Sequence, residues 1–325
     1  MLFFSIVYSP PNIFLFNSPI MTGSILLNRA NGSLGLHAAE QLLKAHKPRV
    51  YLVIARYPAA KASIHKLDLT SLFEVHALPS KGSSALIAEH YPPLRSIICN
   101  AAHWNLVADS EKTADGYDMT LQVNHISHVA LVLRLLGSFV DEGRIVLLSS
   151  IGHYRMLNHP SPDSDKQGRG FQRYPNSKLL ITIWMYPLDY YLQQNPKFKN
   201  ITVVAINPGG LGDSHVFQIN TPRSVQLMQT FIMKPFMSVI NYLVDPTFRS
   251  SAAAGLGAAE FAVGKAHTGE RGYFNLLKKD ESDPLTMEKD VQQRVWRKSL
   301  EWAKITRENT ALQEGFDRAY TVGLM

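Results

Sequence analysis

The stretch Ser24-Ile25-Leu26-Leu27-Asn28-Arg29-Ala30-Asn31-Gly32-Ser33-Leu34-Gly35 carries the reading of the fold. Residues 24–28 form a short apolar run that reads as a strand. Residues 34–46 follow with Leu34, Ala38, Leu42 and Ala45 on one side of a helix. Between the two, Gly32 and Gly35 let the chain turn sharply, and a helix start leaves backbone N–H groups free behind that turn. Strand, glycine-bearing turn and helix in that order make a cradle suited to the pyrophosphate of a dinucleotide. Glycines spaced this way occur in many turns, and their place directly after a strand is what gives them weight.

Outward from this turn, residues 50–56, 65–68, 95–100, 144–150, 201–207 and 272–277 read as further strands. Residues 123–139, 174–192 and 250–262 read as helices between them. Uninterrupted apolar strands alternating with helices specify an α/β fold: a single doubly wound parallel sheet of Rossmann type with helices on both faces. We expect one domain over residues 21–325, with a substrate lid at 211–249 and a C-terminal helix at 285–305. In the latter, Val291, Val295, Trp296 and Leu300 recur at helical spacing. Ligands of such sheets bind at the carboxyl ends of the strands.

The 325 residues are 46% hydrophobic and 18% charged, which excludes collagen-like, coiled-coil and disordered chains. The single cysteine, Cys99, excludes a disulfide scaffold and a cysteine-based zinc site. A net charge of +7 comes without any basic run of five or more, so nucleic acid is not an expected partner. A solvated basic surface, an anionic small molecule or a peripheral membrane contact all accommodate it. Residues 1–20 are apolar, lack Lys and Arg, and are broken by Pro10, Pro11 and Pro19. They resemble neither a secretory signal nor a span, and we expect them outside the fold, with Met21 as the start of the folded chain. Residues 225–244 are interrupted by Gln226, Gln229, Lys234, Pro235 and Asn241, too polar to cross a bilayer. They read as a buried helix or, preferentially, as a Met-rich lid over an apolar substrate. A cytoplasmic location is expected, with a membrane-peripheral one as the alternative.

The chemistry gathers at the strand ends. Tyr174-Pro175-Asn176-Ser177-Lys178 sets a phenol and an ammonium one helical turn apart. A cation so placed draws the phenol's pKa down toward working pH, where it gives or takes a proton at a carbonyl or alcohol oxygen. Tyr57 and Lys61 share the spacing without that context. The strand at 144–150 ends in Ser149-Ser150, a hydroxyl for the substrate oxygen. Asn100-Ala101-Ala102 offers small residues for close approach of a nicotinamide ribose. Asn124 is a polar residue in an apolar helix, suited to hold an irregularity and a water, and Pro208-Gly209 can wrap the nicotinamide carboxamide. Arg56 closes the second strand where a guanidinium suits a 2′-phosphate, which favours NADP(H) over NAD(H). Of the 12 His, none forms a metalloprotease-type pair, so no metal is expected. His125 and His128 read as core or surface residues, and His153 as a pocket candidate.

In these residues the chain resembles the short-chain dehydrogenase/reductase family, over roughly residues 23–277. The family's order of T-G-x-x-x-G-x-G, D-h, N-A-G, Asn, Ser, Y-x-x-x-K and P-G is kept by Ala30 to Gly35, Asp68-Leu69, Asn100-Ala101-Ala102, Asn124, Ser150, Tyr174 with Lys178, and Pro208-Gly209. Arg56 and the long gap between Ser150 and Tyr174 look more like retinol-dehydrogenase-like and fungal carbonyl-reductase members. The resemblance implies Tyr174 as acid/base, Lys178 as its partner, Ser150 as the substrate-positioning hydroxyl and Asn124 as holder of a relay water. It implies a cofactor held by Ala30, Asn31, Gly32, Leu34, Gly35, Arg56, Asp68, Leu69, Asn100, Ala101, Tyr174, Lys178, Pro208 and Gly209. It also implies a homodimer or tetramer. The expected activity is hydride transfer between NADP(H) and an apolar, small-to-medium ketone, aldehyde or alcohol, in lipid or secondary-metabolite chemistry.

Two departures stand out. Arg29 replaces the family's first glycine and Asn28 its threonine. Either Arg29 swings out to pair with a phosphate, or cofactor affinity is lost and the chain is a catalytically degenerate Rossmann-fold binding protein. Pro175, just after Tyr174, removes a backbone donor from the helix.

Overall fold

Consecutive residues of a strand face opposite sides of a sheet, so a strand buried at every position must be covered on both. Ile97 and Ile98, then Ile145, Val146 and Leu147, then Val203, Val204 and Ala205 are all fully buried. The computed structural model describes residues 2–8, 23–44, 60–80, 93–107, 110–154 and 170–316, and it places these strands at the centre of an eight-stranded sheet. The strands are β1 (Leu2–Tyr8), β2 (Gly23–Asn28), β3 (Ala60–Lys66), β4 (Leu94–Cys99), β5 (Phe139–Leu148), β6 (Thr202–Asn207), β7 (Gly272–Asn275) and β8 (Lys278–Lys279). Their order across the sheet is β3-β1-β2-β4-β5-β6-β7-β8. From β2 through β4, β5 and β6 to β7 every pairing is parallel, while β1 and β8 run antiparallel to their neighbours.

The alternation sorts the side chains into two cores. On one face Ile25, Leu27, Ile98, Val146 and Val204 pack against α1 (Ser33–Lys44) and α7 (Ser251–Ala262). These two helices approach so closely that a Cβ on Gly255 would lie 2.6 Å from the Ala38 nitrogen, which accounts for the Ala- and Gly-rich composition of α7. On the other face Leu26, Ile97, Ile145, Leu147 and Val203 meet α2 (Leu72–Ser80), α3 (Ser127–Leu135), α4 (Gly170–Gln194) and α8 (Lys289–Trp302). As expected for the C-terminal helix, Val291, Val295, Trp296 and Leu300 are buried, and Trp296 stacks on Trp184 of α4. The remaining helices, α5 (Arg223–Met228) and α6 (Met237–Leu243), follow one another beyond β6, joined through a π-helical turn at Gln229–Met233.

The structure corrects the expected elements at several points. Leu2–Tyr8 does not lie outside the fold but is hydrogen-bonded between β2 and β3. It is a proline-free apolar run, and its pairing covers a strand edge that would otherwise present unpaired backbone groups. The strand expected at 50–56, Arg56 included, lies outside the described residues, as do Tyr57 and the loop at 155–169. Strand β5 begins at Phe139, not 144, because the pairing with β4 skips from Phe139 to Arg144 and the chain between bulges out. The helix expected from 123 starts at Met119–Leu121, passes through a π-helical turn at Gln122–Ile126, and ends with α3.

Candidate active site

The parallel strands end on the same side, and the carboxyl ends of β2, β4, β5 and β6 border a cavity of about 430 Å³. Its first wall is the turn between β2 and α1. There Arg29 has φ +51°, the left-handed conformation that glycine adopts without cost. The turn is clamped to β4: Asn28 Oδ1 accepts from the Asn100 and Ala101 N–H groups, and Asn100 Nδ2 donates to the Asn28 and Arg29 carbonyls. Gly35 is indispensable to this clamp, since a Cβ there would lie 2.2 Å from the Arg29 carbonyl and 2.7 Å from Asn100 Nδ2. Asn31 and Gly32, with Ser33, Leu34 and Gly35 of the first turn of α1, face the cavity. The Arg29 side chain does not leave the turn. Its Cγ and Cδ lie over Gly32 and its guanidinium donates to the Ala102 carbonyl, within the same cavity wall.

Another part of the wall brings distant segments together. Ser150, just past the end of β5, lines the cavity beside Tyr174 and Lys178, which lie one turn apart on α4. Ser149 and Ser150 part company here: Ser149 Oγ bonds Thr182 Oγ1 at 2.7 Å, whereas Ser150 Oγ accepts from Gly152 N–H and meets the Tyr174 hydroxyl. The ring of Tyr174 is held edge-on by Trp104, 4.8 Å between centroids, and Trp104 is tied by its indole N–H to Thr221.

The electrostatics differ from the expectation that Lys178 lowers the Tyr174 pKa. Burial pushes the phenol above its ordinary value, against the Ser150 hydrogen bond and the Arg29 charge, which pull it down. Lys178 Nζ donates to the Leu148 carbonyl at 2.7 Å. Its own pKa falls to about 7, first through burial and then through Arg29. Arg29 is thus the cation that acts on both partners of the pair.

Asn124 does not reach the cavity. Its Oδ1 accepts from the His103 N–H at 2.6 Å, and its Nδ2 donates to Ser177 Oγ at 2.9 Å. Ser177 in turn donates to the Tyr174 carbonyl, so Asn124 braces the turn of α4 that carries Tyr174 and Lys178. It sits in the π-helical turn, which matches the irregularity inferred from a polar residue in an apolar run. Pro208 and Gly209 line the cavity. Gly209 has φ +88°, and Arg249 Nε holds the Pro208 carbonyl. Asn207 joins this turn to the serine loop by accepting from both Gly209 N–H and Ile151 N–H.

Other expected residues lie elsewhere. Ala30 and Ala101 are buried in the walls without lining the cavity. Asp68 uses its carboxylate on Thr70, and Leu69 is fully buried in the core. His153 is not a pocket residue: it is buried, donates from Nδ1 to the Ser150 carbonyl and accepts at Nε2 from Asp283 N–H. His125 and His128 are core residues. Sequence reading missed Trp104, Ser177 and the bridging role of Asn28, because each acts through a partner remote in the chain. In the lid region the cavity is faced by Leu211 and by Ser214 to Ile219, not by residues 225–244.

Comparison with known proteins adds independent findings. Residues 214–312 match the AcuH dehydrogenase domain family. The chain is 40% identical to the dehydrogenase acuH of Aspergillus aculeatus over 98 residues, 30% of this chain and 99% of that one. It is 23% identical to the short-chain dehydrogenase iccH of Talaromyces variabilis, over 90% of this chain and 98% of its relative. Its fold resembles that of a crystal structure of a short-chain dehydrogenase/reductase from Brucella melitensis. The TM-score is 0.50 at 15% identity, covering 79% of this chain and 96% of the other.

Proposed function

Since this chain belongs to the short-chain dehydrogenase/reductase family and is an oxidoreductase, we propose that it moves a hydride between NADP(H) and the carbonyl or alcohol of an apolar, small-to-medium substrate. The observation that carries the reading is the convergence of Ser150, Tyr174 and Lys178 with the first turn of α1 on one cavity. The residues fit a dinucleotide: helix-start N–H groups and the Arg29 guanidinium offer an anion two kinds of donor, and small residues bound the space between them and Tyr174. Ser33, Leu34 and Arg29 would hold the phosphates, with Asn100, Lys178 and Pro208 nearer the nicotinamide. When bound, the dinucleotide supplies the hydride, or accepts it in oxidation.

The chain's own residues handle the oxygen. Ser150 holds it by hydrogen bond beside Tyr174. The raised pKa keeps the Tyr174 phenol protonated at neutral pH, ready to donate to the oxygen in reduction. In oxidation the phenol must first lose its proton, so that direction speeds up as pH rises, while reduction does not. Lys178, its pKa lowered to about 7, sits one turn on with Nζ 5.5 Å from the Tyr174 ring centroid, tied to the Leu148 carbonyl and placed to orient the nicotinamide end of the dinucleotide. Apolar walls from Trp104, Leu211, Val216 and Phe217 exclude water and select an apolar substrate, in keeping with lipid or secondary-metabolite chemistry.

The test is an NADPH-oxidation screen over ketones and aldehydes, beside NADPH and NADH titrations followed by tryptophan fluorescence. Tyr174→Phe should lower turnover by about a hundredfold to ten-thousandfold with unchanged circular dichroism. A fully active Tyr174→Phe variant, or no dinucleotide binding at millimolar concentration, would overturn the reading.

A further inference from the structure

The helical segment from α5 to α6 is built inside out for water. Gln229 is 4% exposed and bonds the Gly212 and Ser214 carbonyls, and Asn241 reaches the Pro246 and Phe248 carbonyls. With the polar side chains turned inward as anchors, the apolar ones face out: Phe231 is 66% exposed, Tyr242 86%, Leu243 70% and Val244 77%. Isolated exposed apolar residues are ordinary, but a continuous surface of them on a soluble domain marks a place of contact.

The charge on this surface selects the partner. Between Asp213 and Asp245 the chain carries no carboxylate, and its formal charges are Arg223 and Lys234, both exposed. A two-fold contact of this surface with a second copy would bring up two more cations and no carboxylate to neutralise them. Anionic lipid headgroups would neutralise them while the aromatic and branched side chains enter the acyl boundary, as interfacial helices do. The segment is too short to do more than lie on a bilayer. Among the described residues no helix is long and apolar enough to cross one. Ile219, itself 56% exposed, lines the cavity and lies just ahead of Pro222, the N-cap of α5, so along the chain the cavity wall runs directly into this segment.

We propose that the α5–α6 segment docks the protein on an anionic membrane surface, with the cavity mouth turned toward the lipid. The proposal gives a concrete route for the apolar substrate suggested above, but its test needs no substrate. The full chain is floated with equimolar phosphatidylcholine–phosphatidylglycerol vesicles and with phosphatidylcholine alone. Flotation is expected with the anionic vesicles and weakly or not at all without the anionic lipid. Arg223→Gln and Lys234→Gln should each weaken binding about fivefold. Phe231→Ser combined with Leu243→Ser should abolish it, with circular dichroism and turnover of a water-soluble carbonyl unchanged. Equal flotation on both vesicle types would overturn the anionic assignment. Absence of flotation would overturn the docking itself, as would a dimer in sedimentation velocity that the serine variant dissociates while vesicles bind nothing.

Discussion

Arg29 is where this chain departs furthest from its relatives' pattern, and its geometry turns the departure into measurable consequences. Its backbone holds the left-handed conformation that glycine adopts freely, at a cost of about 1–2 kcal/mol for a residue with a side chain. The guanidinium ends in the cavity on the Ala102 carbonyl, where it acts on Tyr174 and Lys178. Arg29→Gly should therefore raise the melting temperature of the cofactor-free protein by about 2 °C. It should also weaken NADPH binding about tenfold, by loss of a charged hydrogen bond. An unchanged dissociation constant would show that Arg29 takes no part in phosphate binding. Gly35 makes the opposite case. Ala at this position places a methyl 2.2 Å from backbone that cannot yield, so Gly35→Ala should cost about 1–3 kcal/mol in urea unfolding and slacken the cofactor turn.

Among the elements, the helix from Met119 to Leu135 shows how one wall serves both packing and chemistry. Its π-helical turn brings Asn124 to bear on His103 and, through Ser177, on the carbonyl of Tyr174. The same turn and the start of α3 put His125 and His128 in the core. Burial pushes both imidazoles down to about pH 3, His128 with added repulsion from Lys178. Their folded pKa lies below the unfolded value of about 6.5, so the folded state binds fewer protons. Their stabilising contribution is complete above pH 6.5 and is lost as pH falls from there toward 3. Thermal melts should show a steep loss of stability in that window, and His128→Phe should flatten it. A melting temperature indifferent to pH between 6.5 and 4 would contradict the neutral buried imidazoles. His125 and His128 read from sequence as core or surface residues. Their full burial could not be read, since it depends on α8, from which Ser299 meets His125 Nε2.

At the scale of the whole molecule, parallel strands deliver their carboxyl ends to one edge, and that topology turns scattered residues into a site. The run at 24–35, the buried strands and the spacing of Tyr174 and Lys178 were legible because each is a local pattern whose period or turn chemistry follows from the backbone alone. Membership of the α/β class, the place of the cavity at the strand ends and the presence of Ser150, Tyr174 and Lys178 in its lining were therefore determined by the sequence. What the tertiary structure alone decided is direction. An apolar stretch such as residues 225–244 reads alike whether it faces the core or the solvent, and only the anchoring of Gln229 and Asn241 turns it outward. Likewise the end point of the Arg29 side chain on Ala102, the separation of Ser149 from Ser150, and the insertion of Leu2–Tyr8 between β2 and β3 rest on partners distant in the chain. Such contacts are settled by packing, which no local periodicity encodes.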